Sequence, residues 1–536
     1  MWPFRTRRVS SPKSRSGSGQ APGPPQPPAR AEVPEQPLGA SLAQNLTALQ
    51  KIFALCSDFT NRELSIGRSA IPAQLLFVNG LTDESIVGDS ILRSLEDMTY
   101  FQVGVEGAGS MTQLKKRFLA VANVVEIGSL GEVSEAVLTG SAVLLLEGSA
   151  QALKIGAKGS EARNVEEPVT EGVVRGPREG FTETLRLNTA LLRRKIKTPD
   201  LKLEKCVLGS VTKTEVNIAY LEKIVNPKLV VEVRERLARI KVDAILESAY
   251  IEELIEDTPW TFLPLIEHSE RPDKVAAEIL SGRVAIFTDG TPFVLLVPTM
   301  MFQFMQSSED YYDRYPYAIM IRLVRFLFLN FALLLPAVYI AVTTYHQEMI
   351  PTPLLISITA AHEGVPFPTV VEVFAMEITF EALREAGVRL PKPVGQAVSI
   401  VGALVIGQAA VEANIVSPAT VIVVALTGIS SFAIPSYNFA SAIRLLRFIM
   451  MILASVLGMF GILLGMLVFQ AHLVSLRSFG VPYFAPFAPF NRQDAKDLLI
   501  RVPWWAMGER PRLLGAQNRK RQKFFLRPGP PDESKP

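Results

Sequence analysis

Cysteine and histidine are scarce in this chain of 536 residues, and each scarcity excludes a class of protein. Two cysteines, Cys56 and Cys206, cannot make a disulfide framework. They fit a reducing compartment, and each reads as a free buried thiol. The four histidines are scattered, so no metal-ligand cluster emerges and no metal or other cofactor is expected. His362-Glu363 opens like a zinc-protease motif, but its fifth position is Pro366, which would break the required helix. Gly104, Gly107 and Gly109 match no phosphate or dinucleotide loop. No catalytic constellation is left, and an enzyme is not expected. A net charge of +3 is too small for a general nucleic-acid binder. Acidic residues are missing from 1–30, which carries Arg5, Arg7, Arg8, Lys13, Arg15 and Arg30. No apolar stretch follows these bases, so the first membrane helices are expected to direct insertion themselves. Long apolar runs are almost absent before Thr291 and crowded after it.

That asymmetry divides the chain. Residues 1–41, rich in Pro, Ser and Gly, bury too little apolar surface to offset their ordering entropy and read as a disordered arm. Residues 42–198 alternate helical and strand-like patterns: helix at 42–56, strand at 73–78, helix from Asp83 to Leu95, helix at 131–139, strand at 141–147. The expectation is an α/β subdomain with a mixed sheet. A second α/β subdomain is expected over 199–290, with helices at 227–240 and 272–281 and a strand at 283–287. No internal repeat is visible. The fold class is therefore an α/β soluble N-terminal region of two subdomains followed by an all-α transmembrane helix bundle at 291–475. A basic tail, 476–536, is expected to lie in the cytoplasm against anionic lipid.

In the membrane part, Phe326 to Thr343 carries no charge over eighteen residues, about 27 Å of helix. Val394 to Val411, Val416 to Ile434 and Phe448 to Ala471 are further candidate spans. Pro292 to Met305 is apolar but short, and reads as a short span, a re-entrant piece or an interfacial segment. Between the first two spans lies 370–386 (VVEVFAMEITFEALREA), a helix with Glu372, Glu377, Glu381 and Glu385 among apolar residues. Counting it as a span changes which side Arg444 and Arg447 face, so four to six crossings stay open.

Carboxylates near hydrocarbon are costly and normally face water, a partner or a pore. Glu377 and Glu381 share a helix face, as do Gln408 and Glu412. With Glu372 these are the pore or gating candidates; the alternative is solvation at the membrane surface. Small residues that let helix backbones approach closely recur at Ser399, Ala403 and Gly407, and at Ala454, Gly458, Gly461 and Gly465. Packing within one subunit and between subunits are equally open.

Several segments in a fixed order resemble one family. They include 176–198 (GPREGFTETLRLNTALLRRKIKT), 252–259 (EELIEDTP), 270–287, 289–298, 308–315 (SEDYYDRY), 346–355 and 362–368 (HEGVPFP). The membrane part adds 393–418, 432–438 (FAIPSYN) and 475–486 (SLRSFGVPYFAP). Together they resemble the A subunits of GerA-type spore germinant receptors, a group that includes the stage V sporulation AF proteins. The resemblance implies a nutrient-sensing complex in the endospore inner membrane, with the soluble region cytoplasmic. It implies a homo-oligomeric ring, a pentamer by expectation, acting as a ligand-gated channel for monovalent cations. A transporter-like B subunit and a lipoprotein C subunit are the implied partners, besides membrane lipid. A non-conducting scaffold or signalling subunit that binds the B subunit is the alternative.

Overall fold

The computed structural model describes residues 36–66, 70–95, 123–159, 166–389, 406–522 and 528–529. The first soluble unit runs α1 (Leu42–Ile52), β1 (Phe59–Ile66), β2 (Ile71–Val78), a helical stretch with a π-turn at Ile86–Leu92, β3 (Val124–Ile127), α2 (Leu130–Leu138), β4 (Ala142–Leu146) and β5 (Ala152–Ile155). The second runs α3 (Leu185–Lys195), β6 (Leu201–Leu208), β7 (Thr214–Leu221), α4 (Pro227–Arg239), α5 (Ser248–Ile255), β8 (Glu267–Ser269), α6 (Pro272–Ser281), β9 (Val284–Thr288) and β10 (Val294–Val297). Local signals start these helices. Ser129 and Glu132 form a reciprocal capping box on α2, and Asn226 caps α4 ahead of Pro227.

Two features differ from expectation. Both sheets are antiparallel throughout, not mixed. The strands come as consecutive hairpins (β1–β2, β4–β5, β6–β7, β9–β10), with helices inserted between hairpins rather than between parallel neighbours. The sheets also repeat each other. Their orders, β1-β2-β4-β5-β3 and β6-β7-β9-β10-β8, are the same connectivity. β2 (IPAQLLFV) and β7 (TEVNIAYL) show the same burial profile with different side chains. What repeats is connection and burial, which many sequences satisfy.

The two units are joined through buried groups. Arg193 of α3, fully buried, donates from Nε and Nη2 to the two carboxylate oxygens of Asp58, at 2.9 Å each. The backbones of Ser57 and Leu203 are hydrogen-bonded beside it.

The helical part comprises α7 (Tyr315–Thr344), α8 (Thr352–His362), α9 (Thr369–Arg389), α10 (Pro418–Phe432) and α11 (Tyr437–Ser475). Two of these, α7 and α11, are long and apolar enough to cross a membrane. Contacts give their directions. α7 begins beside the second sheet and ends at Tyr345 and His346, which touch Gly458 of α11. α9 begins at that distant end, where Glu372 meets Ser417, and returns toward the soluble side, where Glu381 meets Arg444. α10 returns in the same direction, from Ser417 by Glu372 to Ser431 by Arg384.

The expected span Phe448 to Ala471 is broken by Gly458, at φ 61° and ψ −141°, a conformation open essentially to glycine alone. A straight helix of 39 residues would be about 58 Å long. Instead α11 is a hairpin of two limbs, 437–457 and 459–475. Its ends lie together at the soluble side: Phe439 stacks on Phe304, and His472 Nε2 is 3.1 Å from Thr261 Oγ1.

The apolar run Pro292 to Met305 is not a membrane segment in this fold. Val294–Val297 is strand β10, fully buried, and Met301–Met305 is a 3₁₀ turn. A strand covered on both faces is apolar throughout, so its composition imitates a short span. Beyond α11 the chain turns back onto the soluble side: Ser478 Oγ donates to Leu265 O and accepts from Thr299 N.

Candidate functional site

Inside the helical part, α9 brings two carboxylates against arginines of α11. Arg447 Nη2 lies 2.9 Å from Glu377 Oε2 and 3.0 Å from Glu381 Oε1. Arg444 Nη1 is 3.1 Å from Glu381 Oε2, and Arg384 Nη1 is 3.5 Å from Glu381 Oε1. Arg384 also donates to Ser431 Oγ at 2.6 Å, and its guanidinium stacks 4.6 Å from the Phe432 ring centroid. The helical repeat explains the assembly. Glu377, Glu381 and Arg384 are spaced by four and three on α9, and Arg444 and Arg447 by three on α11, so each set shares a face.

The cluster is only half satisfied. Arg447 is 0% exposed and Glu377 1%. Their close approach is misaligned for hydrogen bonding: neither Glu377 oxygen has a hydrogen-bond partner among the described residues, and neither do Arg447 Nε and Nη1. Buried charges that attract without good hydrogen bonds leave much of their desolvation cost uncompensated.

A second polar cluster sits at the distant end. Glu372, fully buried, lies 3.0 Å from His362 Nδ1. Its other oxygen accepts from Ser417 N at 2.7 Å and Thr420 Oγ1 at 3.2 Å, and Tyr339 OH is 3.4 Å from Thr420 Oγ1. Gln408 and Glu412 bond each other at 2.8 Å on an exposed face. The structure thus joins Glu377 with Glu381, sets Glu372 apart with His362, and leaves Gln408 and Glu412 by themselves. Ser399 and Ala403 lie outside the described residues, as does most of the candidate span 394–411. A methyl group on Gly407 would meet Val421 of α10 at an ordinary 3.5 Å.

The glycines of α11 serve its own hairpin. A methyl group on Gly461 would fall 2.2 Å from Leu453 O, and one on Gly465 2.7 Å from Met450 Sδ. Ala454 is fully buried in the same core. These contacts are within the chain.

Sequence reasoning missed Arg384, Arg444 and Arg447 as partners of the acids. The signal was two arginines three apart in an otherwise apolar stretch, matching two acids four apart in another. It also missed a junction at the base of α7, where Arg322 Nε bonds Asp310 Oδ2 at 2.9 Å and Arg322 Nη1 bonds Asp497 Oδ1 at 2.8 Å.

Residues 47–513 match the family described as Bacillus/Clostridium GerA spore germination protein. Spore germination protein KA of Bacillus subtilis (strain 168) is 46% identical over 494 residues, 92% of this chain and 90% of that protein. The uncharacterized membrane protein YfkQ of the same organism is 45% identical over 499 residues, 93% of this chain and 96% of that protein. Spore germination protein GerLA of Bacillus cereus is 39% identical over 458 residues, 85% and 92%. Among solved structures, the N-terminal domain of the A subunit of the Bacillus megaterium spore germinant receptor GerK3 matches 50% of this chain and 98% of its own. It does so at 32% identity with a TM-score of 0.40. The chain belongs to the GerA family of spore germination proteins.

Proposed function

We propose that this protein is the A subunit of a spore nutrient germinant receptor, and that copies of it form a ligand-gated channel for monovalent cations in the spore inner membrane. Its soluble region then faces the spore core, and its partners are a transporter-like B subunit and a lipoprotein C subunit. The names of its GerA-family relatives support the receptor role. The half-satisfied cluster of Glu377, Glu381, Arg444 and Arg447 supports the channel role and carries this reading. A bundle needing only stability would do as well with apolar side chains there. Carboxylates and arginines that attract across α9 and α11 but bond poorly suit an element with two arrangements. In the closed arrangement the arginines mask the carboxylates. When α9 moves, Glu377 and Glu381, repeated around the ring, present negative charge to a cation path. The alternating helix directions fit six crossings, with α11 supplying two and both soluble ends on one side.

The competing reading is a non-conducting subunit that holds a transporter-like partner. The complete burial of Glu377 against its own chain's Arg447 favours it. Flux of K⁺ and of Cl⁻ through the purified protein in liposomes separates the two. Cation-selective flux that falls in Glu381→Gln, with the oligomer intact, is expected. Liposomes as tight as protein-free ones, with and without the B subunit and nutrient, would leave the scaffold reading.

A further inference from the structure

A cavity of about 260 Å³ lies where the second soluble unit, the base of α7 and the returning chain meet. One water needs only about 10–15 Å³, so the space is that of a small molecule. Its wall combines α6, the segment 300–312 that leads into α7, and parts of 485–521.

The wall leaves particular hydrogen-bonding atoms unused. The Asp273 side chain is 7% exposed; its Oδ2 accepts from Arg271 Nη2 at 2.9 Å and from Tyr312 OH, but its buried Oδ1 has no partner. Gln493 Oε1 is likewise buried and without a partner. Lys274, by contrast, is consumed by Glu171 at 2.7 Å and Glu267 at 2.8 Å. Arg283 is paired with Glu278 through Nη1 and keeps only Nε free. The unused capacity is therefore chiefly acceptor, and one acceptor carries negative charge. Phe302, Tyr311 and Trp504 line the same space and offer aromatic faces, which attract cations. A buried carboxylate oxygen, an amide oxygen and aromatic rings together make a recognition set for an organic ammonium group.

We propose that this cavity binds a small organic molecule bearing an ammonium group, held by Asp273 and Gln493, with a hydroxyl or carboxyl on the same molecule able to accept from Arg283 Nε. The site adjoins α7 directly. Tyr311 OH donates to Asp497 Oδ2 at 2.7 Å, and Asp497 in turn binds Arg322 of α7. The proposal does not depend on ion conduction.

The test is calorimetric titration of the full chain in nanodiscs with benzylammonium, benzyl alcohol and benzoate at equal ionic strength. Saturable binding of benzylammonium alone is expected. Asp273→Asn, which removes the charge and keeps the shape, should weaken it more than tenfold, and Trp504→Leu at the exposed rim several-fold. Three results would overturn the proposal: no saturable binding by the unaltered protein, which would mean a water-filled space only; equal binding of the neutral or anionic probe; or a folded Asp273→Asn protein that binds as before. Should Asp273→Asn fail to fold, Trp504→Leu and the two control probes decide alone.

Discussion

Replacing Arg447 by Met removes the cation on which the cluster in the helical part depends. Its guanidinium is 0% exposed and serves both Glu377, 1% exposed, and Glu381, 27% exposed. Glu381 keeps Arg444 and Arg384, and its partial exposure lets water help. Glu377 keeps no arginine. Breaking a buried pair by removing one partner costs about 3–5 kcal/mol, most of it the penalty on the charge left behind. If the pair exists only in the closed arrangement, a differential loss of about 3 kcal/mol shifts the closed-to-open ratio by roughly 100-fold. The Arg447→Met protein should therefore leak K⁺ from liposomes without nutrient, and its thermal midpoint should fall. Adding Glu377→Gln removes the stranded charge, so the double variant should recover much of the midpoint, a coupling that independent sites would not show. The reasoning fails if Arg447→Met is folded and oligomeric with unchanged leak and midpoint. It fails equally if the two substitutions simply add.

Three further outcomes follow from other parts of the fold. Gly458→Ala forces a side chain into φ 61°, ψ −141° and sets its methyl group 2.9 Å from His346, so a loss of roughly 1–3 kcal/mol and a lower thermal midpoint are expected; an unchanged midpoint would mean that the α11 hairpin is wrong. Arg193→Met strands the buried Asp58 between the two soluble units, at about 3–5 kcal/mol, and should open the first unit to limited proteolysis before the second; an unchanged digestion pattern would deny the bridge its role. Burial, then the nearby Glu256 and Glu247, push Glu252 of α5 up to about 8 from an ordinary 4.5. The folded state therefore holds a proton that the unfolded state releases between those values, and stability declines as pH rises through that window. Glu252→Gln should flatten the decline between pH 5 and 8 and raise the thermal midpoint at pH 8 and above, and an unaltered slope would refute it.

Much of the soluble fold was legible because its signals are local. Asn226-Pro227 starts α4, Pro272 starts α6, and the apolar periodicity of both follows within the next turns. The break from charged to apolar composition after Thr291 separated the soluble and helical parts, and the family motifs stand in contiguous stretches of chain. The acids of α9 were also visible, because charge in an apolar helix stands out by itself. Their partners were not. Arg447 meets Glu377 only after α9, α10 and the first limb of α11 have stacked, and nothing in either segment specifies that register. The same holds for the sheets: a hairpin-built antiparallel sheet and a mixed sheet read alike where helices separate the strands. The run from Pro292 to Met305 carries enough apolarity for hydrocarbon or for a sheet interior, and only the neighbours of β10 decided which. Composition and spacing determine what a segment needs, water or its exclusion. Which surface meets that need is a property of the packed whole, because burial and charge pairing are satisfied by whatever arrives in space, however far away it lies along the chain.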